Sequence, residues 1–149
     1  DLDVDAYIPD SYIRNEMQKL DVYKRIAGIR NQDEYEDMLE ELLDRFGEPP
    51  KPVQNLLTVA RLKAEAHRLY ITELNQKGNE LWFVMYEKAQ INTQAMDSLL
   101  KKYKGELKFV MDTPPYFLYK ELRKKKNDTV DILALVGELL EDFHVLESS

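Results

Sequence analysis

Apolar residues recur at three- and four-residue steps through the first half of this chain and at two-residue steps around residues 70 to 120. That change of period predicts helices first and a small sheet afterwards. Before the helices, Leu2 to Tyr7 alternates apolar and polar residues, which predicts a short edge strand ended by Pro9. Asp10 or Ser11 can then cap a helix with Ile13, Met17, Leu20, Tyr23 and Ala27 as its inner stripe, weakened at Gly28. A second helix, capped near Asn31 to Asp33, turns Tyr35, Met38, Leu39, Leu42, Leu43 and Phe46 inward and stops at Gly47, where a left-handed cap is expected. Pro49, Pro50 and Pro52 make a stiff connector, and Pro52 suits the first turn of a third helix striped by Val53, Leu56, Leu57, Ala60, Ala64 and His67.

Beyond Leu69 the spacing predicts strands at Tyr70 to Leu74 and Leu81 to Tyr86, with Asn75 to Asn79 as the hairpin turn. Asn92 or Thr93 opens a helix carrying Met96, Leu99, Leu100 and Tyr103 and closed by Gly105. Two more strands, Leu107 to Met111 and Tyr116 to Tyr119, flank Thr113-Pro114-Pro115, and a last helix runs from about Thr129 to Phe143 on Val130, Leu133, Val136, Leu140 and Phe143. The expected fold is α+β: three N-terminal helices, a small mostly antiparallel sheet and two further helices. With 149 residues and no internal repeat, residues 1–149 are expected to form a single domain that folds alone as a monomer. Because the chain starts at Asp1 and not Met, it is expected to be a piece of a longer protein.

Composition changes the picture by exclusion. A formal net charge of −7 argues against phosphate-backbone binding as the main activity and for a basic protein partner. There is no cysteine, which removes disulfides and thiolate metal sites. No apolar run reaches the roughly 20 residues a membrane span needs, and the start is unlike a signal peptide, so no membrane partner is expected and the cytoplasm is the expected compartment.

Candidate chemistry is sparse. Asp37, Glu41, Asp44 and Arg45 fall on the polar face of the second helix, with Glu41 and Arg45 spaced to pair. They read either as a solvated face or as a docking surface for a basic partner. No pocket signal supports an acid–base pair of carboxylates, so no catalytic residue is assigned and the domain is expected not to be an enzyme. His67 is expected in the core or at its edge, and His144 at the negative end of the last helix. With no convergent ligands and no phosphate-cradling glycine loop, no metal, cofactor or ATP is expected. The basic segment Lys120 to Lys126, beside Tyr116, Phe117 and Tyr119, is a second candidate, as an accessory nucleic-acid-binding surface. Trp82, Phe83 and Tyr86 follow strand spacing and are expected to pack on the sheet.

Three segments carry a resemblance. Asp5-Ala6-Tyr7-Ile8-Pro9, Tyr23-Lys24-Arg25-Ile26-Ala27 and the run from Glu41 through Leu42, Leu43, Asp44, Arg45, Phe46 and Gly47 to Pro49, Pro50 and Pro52 resemble the C-terminal domain of the bacterial transcription-repair coupling factors. The helix with Val53, Leu56, Leu57, Ala60, Arg61 and Leu62 extends the match to about Leu69, and the second half follows in order of elements. The resemblance implies the last, non-catalytic module of a large protein that recognises stalled RNA polymerase, translocates on double-stranded DNA using ATP and recruits UvrA. It implies an autoinhibitory module that docks on a UvrB-like N-terminal module of the same protein, masks UvrA binding and restrains ATPase and translocation. Carried over residue by residue, Glu41, Asp44 and Arg45 match the motif positions that face the UvrB-like module, with Gly47, Pro49 and Pro52 setting the turn behind them.

Overall fold

In the computed structural model, residues 2–120, 122 and 131–147 are described. The order is α1 (Glu16–Ala27), α2 (Gln32–Phe46), α3 (Lys51–Arg68), β1 (Ile71–Lys77), β2 (Glu80–Met85), α4 (Thr93–Lys102), β3 (Leu107–Val110), β4 (Tyr116–Tyr119) and α5 (Ile132–Phe143). The fold is α+β, as the change of period predicts. The four strands form one antiparallel sheet in the order β1-β2-β4-β3. By contact the chain divides into two compact units, Val4–Glu65 and Ala66–Ser149 with Asp1–Asp3.

The first unit holds α1, α2 and most of α3 around Ile8, Ile13, Val22, Ile26, Ile29, Met38, Leu42, Val53 and Leu57, all buried. Asn15 caps α1 by accepting from Gln18 N–H, and Asn31 caps α2 by accepting from Glu34 N–H. Gly47 ends α2 with φ 85° and ψ −166°, outside the left-handed helical basin but still in territory open to glycine, and its N–H donates to Leu43 O at 3.1 Å. The connector with Pro49, Pro50 and Pro52 lies where the sequence places it, with Pro52 as the second residue of α3.

Several expectations are corrected between Leu2 and the end of α3. Leu2 to Tyr7 forms no strand, because no ladder partner lies beside it; Tyr7 N–H donates to Pro52 O at 3.2 Å and Ile8 N–H to the Tyr23 hydroxyl at 2.8 Å. Pro9 to Ile13 is a turn, so the first helix begins five residues after Asp10 at its Asn15 cap. Its inner face is Val22 and Ile26, whereas Met17 and Leu20 are 76% and 51% exposed. Leu43 is likewise exposed on α2, and His67 is exposed at the last turn of α3.

In the second unit, Leu81, Phe83 and Met85 of β2 alternate inward with half-buried Glu80, Trp82 and Val84. Phe143 of α5 meets Phe83 edge-on at 5.1 Å and stacks on Phe117 at 4.8 Å, so one aromatic cluster ties helix to sheet. β1 runs on through Asn75–Lys77, so the hairpin turn shortens to Gly78-Asn79, with Gly78 at φ 59°. Asn92 caps α4 through Gln94 and Ala95 N–H. Lys102 pairs with Asp142 at 2.8 Å and the Tyr103 hydroxyl donates to the same carboxylate, fastening α4 to α5. α5 begins at its Asp131 cap; Thr129 and Val130, expected in its first turn, lie outside the described residues.

Candidate docking site

Seven of the fifteen residues of α2 are acidic, and their positions follow the helix period away from Met38 and Leu42. Burial of those two side chains against the first core fixes the rotation of α2 and so decides where each carboxylate emerges. Three outcomes result. Glu34 turns back to Arg30, taking hydrogen bonds from its N–H at 2.9 Å and its guanidinium at 3.1 Å. Glu41 turns toward α1. Asp37, Glu40 and Asp44 are exposed and have no cationic partner among the described residues.

Glu41 is the centre of the arrangement. Arg25 of α1 donates to both of its carboxylate oxygens, one of these bonds measuring 2.5 Å, and Arg45 one turn further along α2 donates to Oε2 at 3.0 Å. Arg25 also stands 4.0 Å from Asp21 on its own helix. The Arg25 guanidinium, hydrogen-bonded to the carboxylate, is the main cause that holds the Glu41 carboxyl down to about 2; partial burial opposes it and Arg45 adds to it. Arg45 packs its guanidinium 4.8 Å from the Phe46 ring centroid, which steers its head group along the helix. The i to i+4 pair expected from spacing is present, and α1 adds a second, two-pronged clamp on the same carboxylate.

A shallow cleft of about 290 Å³ lies between the two helices, lined by Arg25, Ile29, Glu34, Asp37, Met38 and Glu41. At the C-terminal end of α2 the Tyr12 hydroxyl donates to Gly47 O at 2.8 Å and its ring tilts against Phe46 at 5.8 Å. The structure therefore brings Glu41 and Arg45 together and leaves Asp44 apart on solvent. Glu41 is half-buried and already engaged, where the sequence reading has it on the open face. The residue that reading missed as a site member is Arg25. Its sixteen-residue separation from Glu41 gives no periodic signal; only the packing of α1 on α2 makes the pair.

The other candidates separate from this site. Lys120 is half-buried, and Arg123, Lys124, Lys125 and Lys126 lie outside the described residues. His144 follows α5 with Nδ1 3.5 Å from Glu147 Oε1. Among the described residues no group of three or more His, Asp or Glu could hold a metal ion, and no helix is long and apolar enough to cross a membrane.

Residues 2–96 match a family described as the TRCF domain. The transcription-repair-coupling factor of Bacillus subtilis (strain 168) is 32% identical over 114 residues, covering 75% of this chain and 10% of the relative. That of Escherichia coli (strain K12) is 38% identical over 104 residues, covering 68% of this chain and 9% of the relative. The chain thus spans about a tenth of the length of these curated relatives. A crystal structure of the C-terminal domain of transcription-repair coupling factor superposes with a TM-score of 0.79 at 26% identity, over 99% of this chain and 92% of that one.

Proposed function

The chain belongs to the TRCF domain family, and from that premise we propose that it is a non-catalytic docking module which holds a transcription-repair coupling factor in its resting state. In this reading the outer face of α2 docks on a UvrB-like module of the same protein. The contact masks the surface that binds UvrA and restrains ATPase and DNA translocation until RNA polymerase is engaged. The observation that carries the reading is the division of labour on α2. Glu41 is spent on holding Arg25 and Arg45, while Asp44, one turn beyond it, is exposed and has no cationic partner among the described residues.

The roles of the three residues then differ. Asp44 supplies the charge that meets basic groups on the partner. Arg45, held by Glu41 and Phe46, presents its remaining donors to a partner carboxylate. Glu41 is a positioning residue: it fixes both arginines and the angle between α1 and α2. A clamp of this kind needs only about 1 to 3 kcal/mol of differential interaction to set the resting state and still release. A face of charges serves that purpose because opening it uncovers no large apolar patch.

The test uses the full-length parent protein of this chain carrying Asp44→Lys, with capture of UvrA as the readout. The exposed substitution is expected to leave folding within about 0.5 kcal/mol of the parent. UvrA capture should rise in the absence of polymerase. A variant that folds normally and stays fully masked would remove Asp44 from the contact.

A further inference from the structure

The sheet of the second unit has two unlike faces. On one, Leu81, Phe83, Phe117 and Tyr119 are buried. Phe143 of α5 packs on that face, and Tyr103 at the end of α4 meets Tyr119 edge-on at 6.3 Å. The opposite face carries the alternate residues of every strand. At its centre Trp82 stacks on Tyr116 at 4.5 Å, with Lys77 Nζ 4.6 Å from the indole and Glu80 accepting from the indole N–H at 3.1 Å. Trp82, Val84, Tyr116 and Val110 are half-buried there, around the buried Leu118. Among the described residues neither Trp82 nor Tyr116 meets a ring from a helix.

Charge on this face is balanced and ordered. Lys77, Lys108 and Lys120 stand with Glu73, Glu80 and Glu106, so the face is neutral in a chain that carries −7. A neutral face gives no purchase to a polyanion or a polycation. Its end row, read across β1-β2-β4-β3, is Lys77, Glu80, Lys120, Glu106. Lys120 continues the β2–β4 register by one residue, and its N–H donates to Glu106 O at 3.0 Å. The signs therefore alternate from one edge of the sheet to the other. A half-turn about an axis parallel to the strands, between β2 and β4, reverses that order. It sets Lys77 against Glu106 and Glu80 against Lys120, each contact occurring twice. The same rotation lays Trp82 on Leu118 and Val84 on Tyr116. Lys108 then faces Asn75, and Glu73 faces Val110, so no two like charges are directly opposed.

We propose that this sheet face is the interface of a symmetric dimer whose other half is a second copy of this chain. Two such sheets stack about 10 Å apart with strands aligned to within about 30°, which keeps the rows in register. The apolar centre supplies the attraction, and the alternating row fixes which way round the copies meet. Stable interfaces use about 20–30 residues a side and this face has about half as many, so the chain is monomeric when dilute and pairs with a Kd of about 100 µM. No residue of α2 takes part, so the dimer does not depend on the docking reading.

The experiment is sedimentation equilibrium of the 149-residue chain up to about 1 mM at low salt, with emission of Trp82, the single tryptophan, recorded over the same range. Dimer should form with a midpoint near 100 µM and a blue shift as the second sheet covers the indole. Glu80→Lys and Lys120→Glu each oppose like charges at two symmetry-related points, and each should weaken association about tenfold. An equimolar mixture of the two variants should recover the parent association, because the introduced lysine of one then faces the introduced glutamate of the other. Circular dichroism checks that each variant folds; Glu106→Lys and Lys77→Glu provide the same cycle at the outer ends of the row should a central variant fail to fold. A chain that stays monomeric at about 1 mM, or a dimer that leaves Trp82 emission unchanged, would overturn the proposal. So would folded single variants that pair as well as the parent, or a mixture that pairs no better than its components.

Discussion

Replacing Glu41 by Gln removes the charge on which Arg25 and Arg45 converge while keeping the shape of the side chain. The carboxyl is drawn from its ordinary 4.5 to about 2 in the folded protein. Fully transmitted, a displacement of that size corresponds to at most about 3 kcal/mol of stability. Water reduces it: Glu41 keeps 31% of its side-chain surface, Arg25 42% and Arg45 39%. Exposed ion pairs contribute about 0.2–1 kcal/mol, with bidentate arginine geometry at the upper end, so we expect Glu41→Gln to cost about 1 kcal/mol at pH 7. For a chain of this length that is a fall in Tm of about 3 °C. The sign with pH follows from the lowered carboxyl. The stabilisation is complete above the unfolded value near 4.5 and is lost as pH falls toward about 2, so the gap between parent and variant should close over that window. Urea unfolding followed by circular dichroism at 222 nm is the assay, because the single tryptophan, Trp82, lies on β2 and does not report on the helical unit. A double-mutant cycle with Arg25→Gln should recover most of the loss as coupling, and one with Arg45→Gln only about 0.3–0.5 kcal/mol. A gap that stays constant from pH 7 to pH 3, or no coupling to Arg25, would refute the reasoning.

Other substitutions probe the scaffold. Ile26→Ala, at a fully enclosed position, should cost about 2–5 kcal/mol in the same unfolding assay, while Leu20→Ala on the exposed side of α1 should stay within about 0.5 kcal/mol. Tyr12→Phe deletes the hydroxyl that braces Gly47 O and should lower stability by about 1 kcal/mol, again by urea unfolding. Gly47→Ala forces a side chain into a positive φ conformation and should cost about 1–3 kcal/mol, with weakened helical signal in thermal melts.

Where the sequence pattern reads well, local chemistry decides the structure. Asn31 and Gly47 bound α2 and Asn92 opens α4 because a side-chain acceptor or a positive φ is needed at those points whatever surrounds them. The hairpin and the paired strands β3 and β4 are equally legible from alternation, and β4 is covered on both faces as its run of four apolar residues implies. Where the reading fails, a distant partner makes the choice. Two stripes of period three to four run along α1, and packing against α2 and α3 selects Val22 and Ile26 over Met17 and Leu20. Alternation at Leu2 to Tyr7 produces no strand without a neighbour to pair with. At the site, the Glu41–Arg45 pair is written in the spacing of one helix. The Arg25 clamp joins two helices and becomes visible only in three dimensions.

The most direct test of docking through α2 is binding, in trans, of this chain to the UvrB-like module of the same parent protein. It should be measured at low and high salt, for the parent sequence and for Asp44→Lys. Docking through α2 requires binding that weakens with salt, as exposed charges are screened, and weakens further with Asp44→Lys while the unfolding curve is unchanged. Tight binding indifferent to both salt and Asp44→Lys would contradict it and move the contact off the outer face of α2.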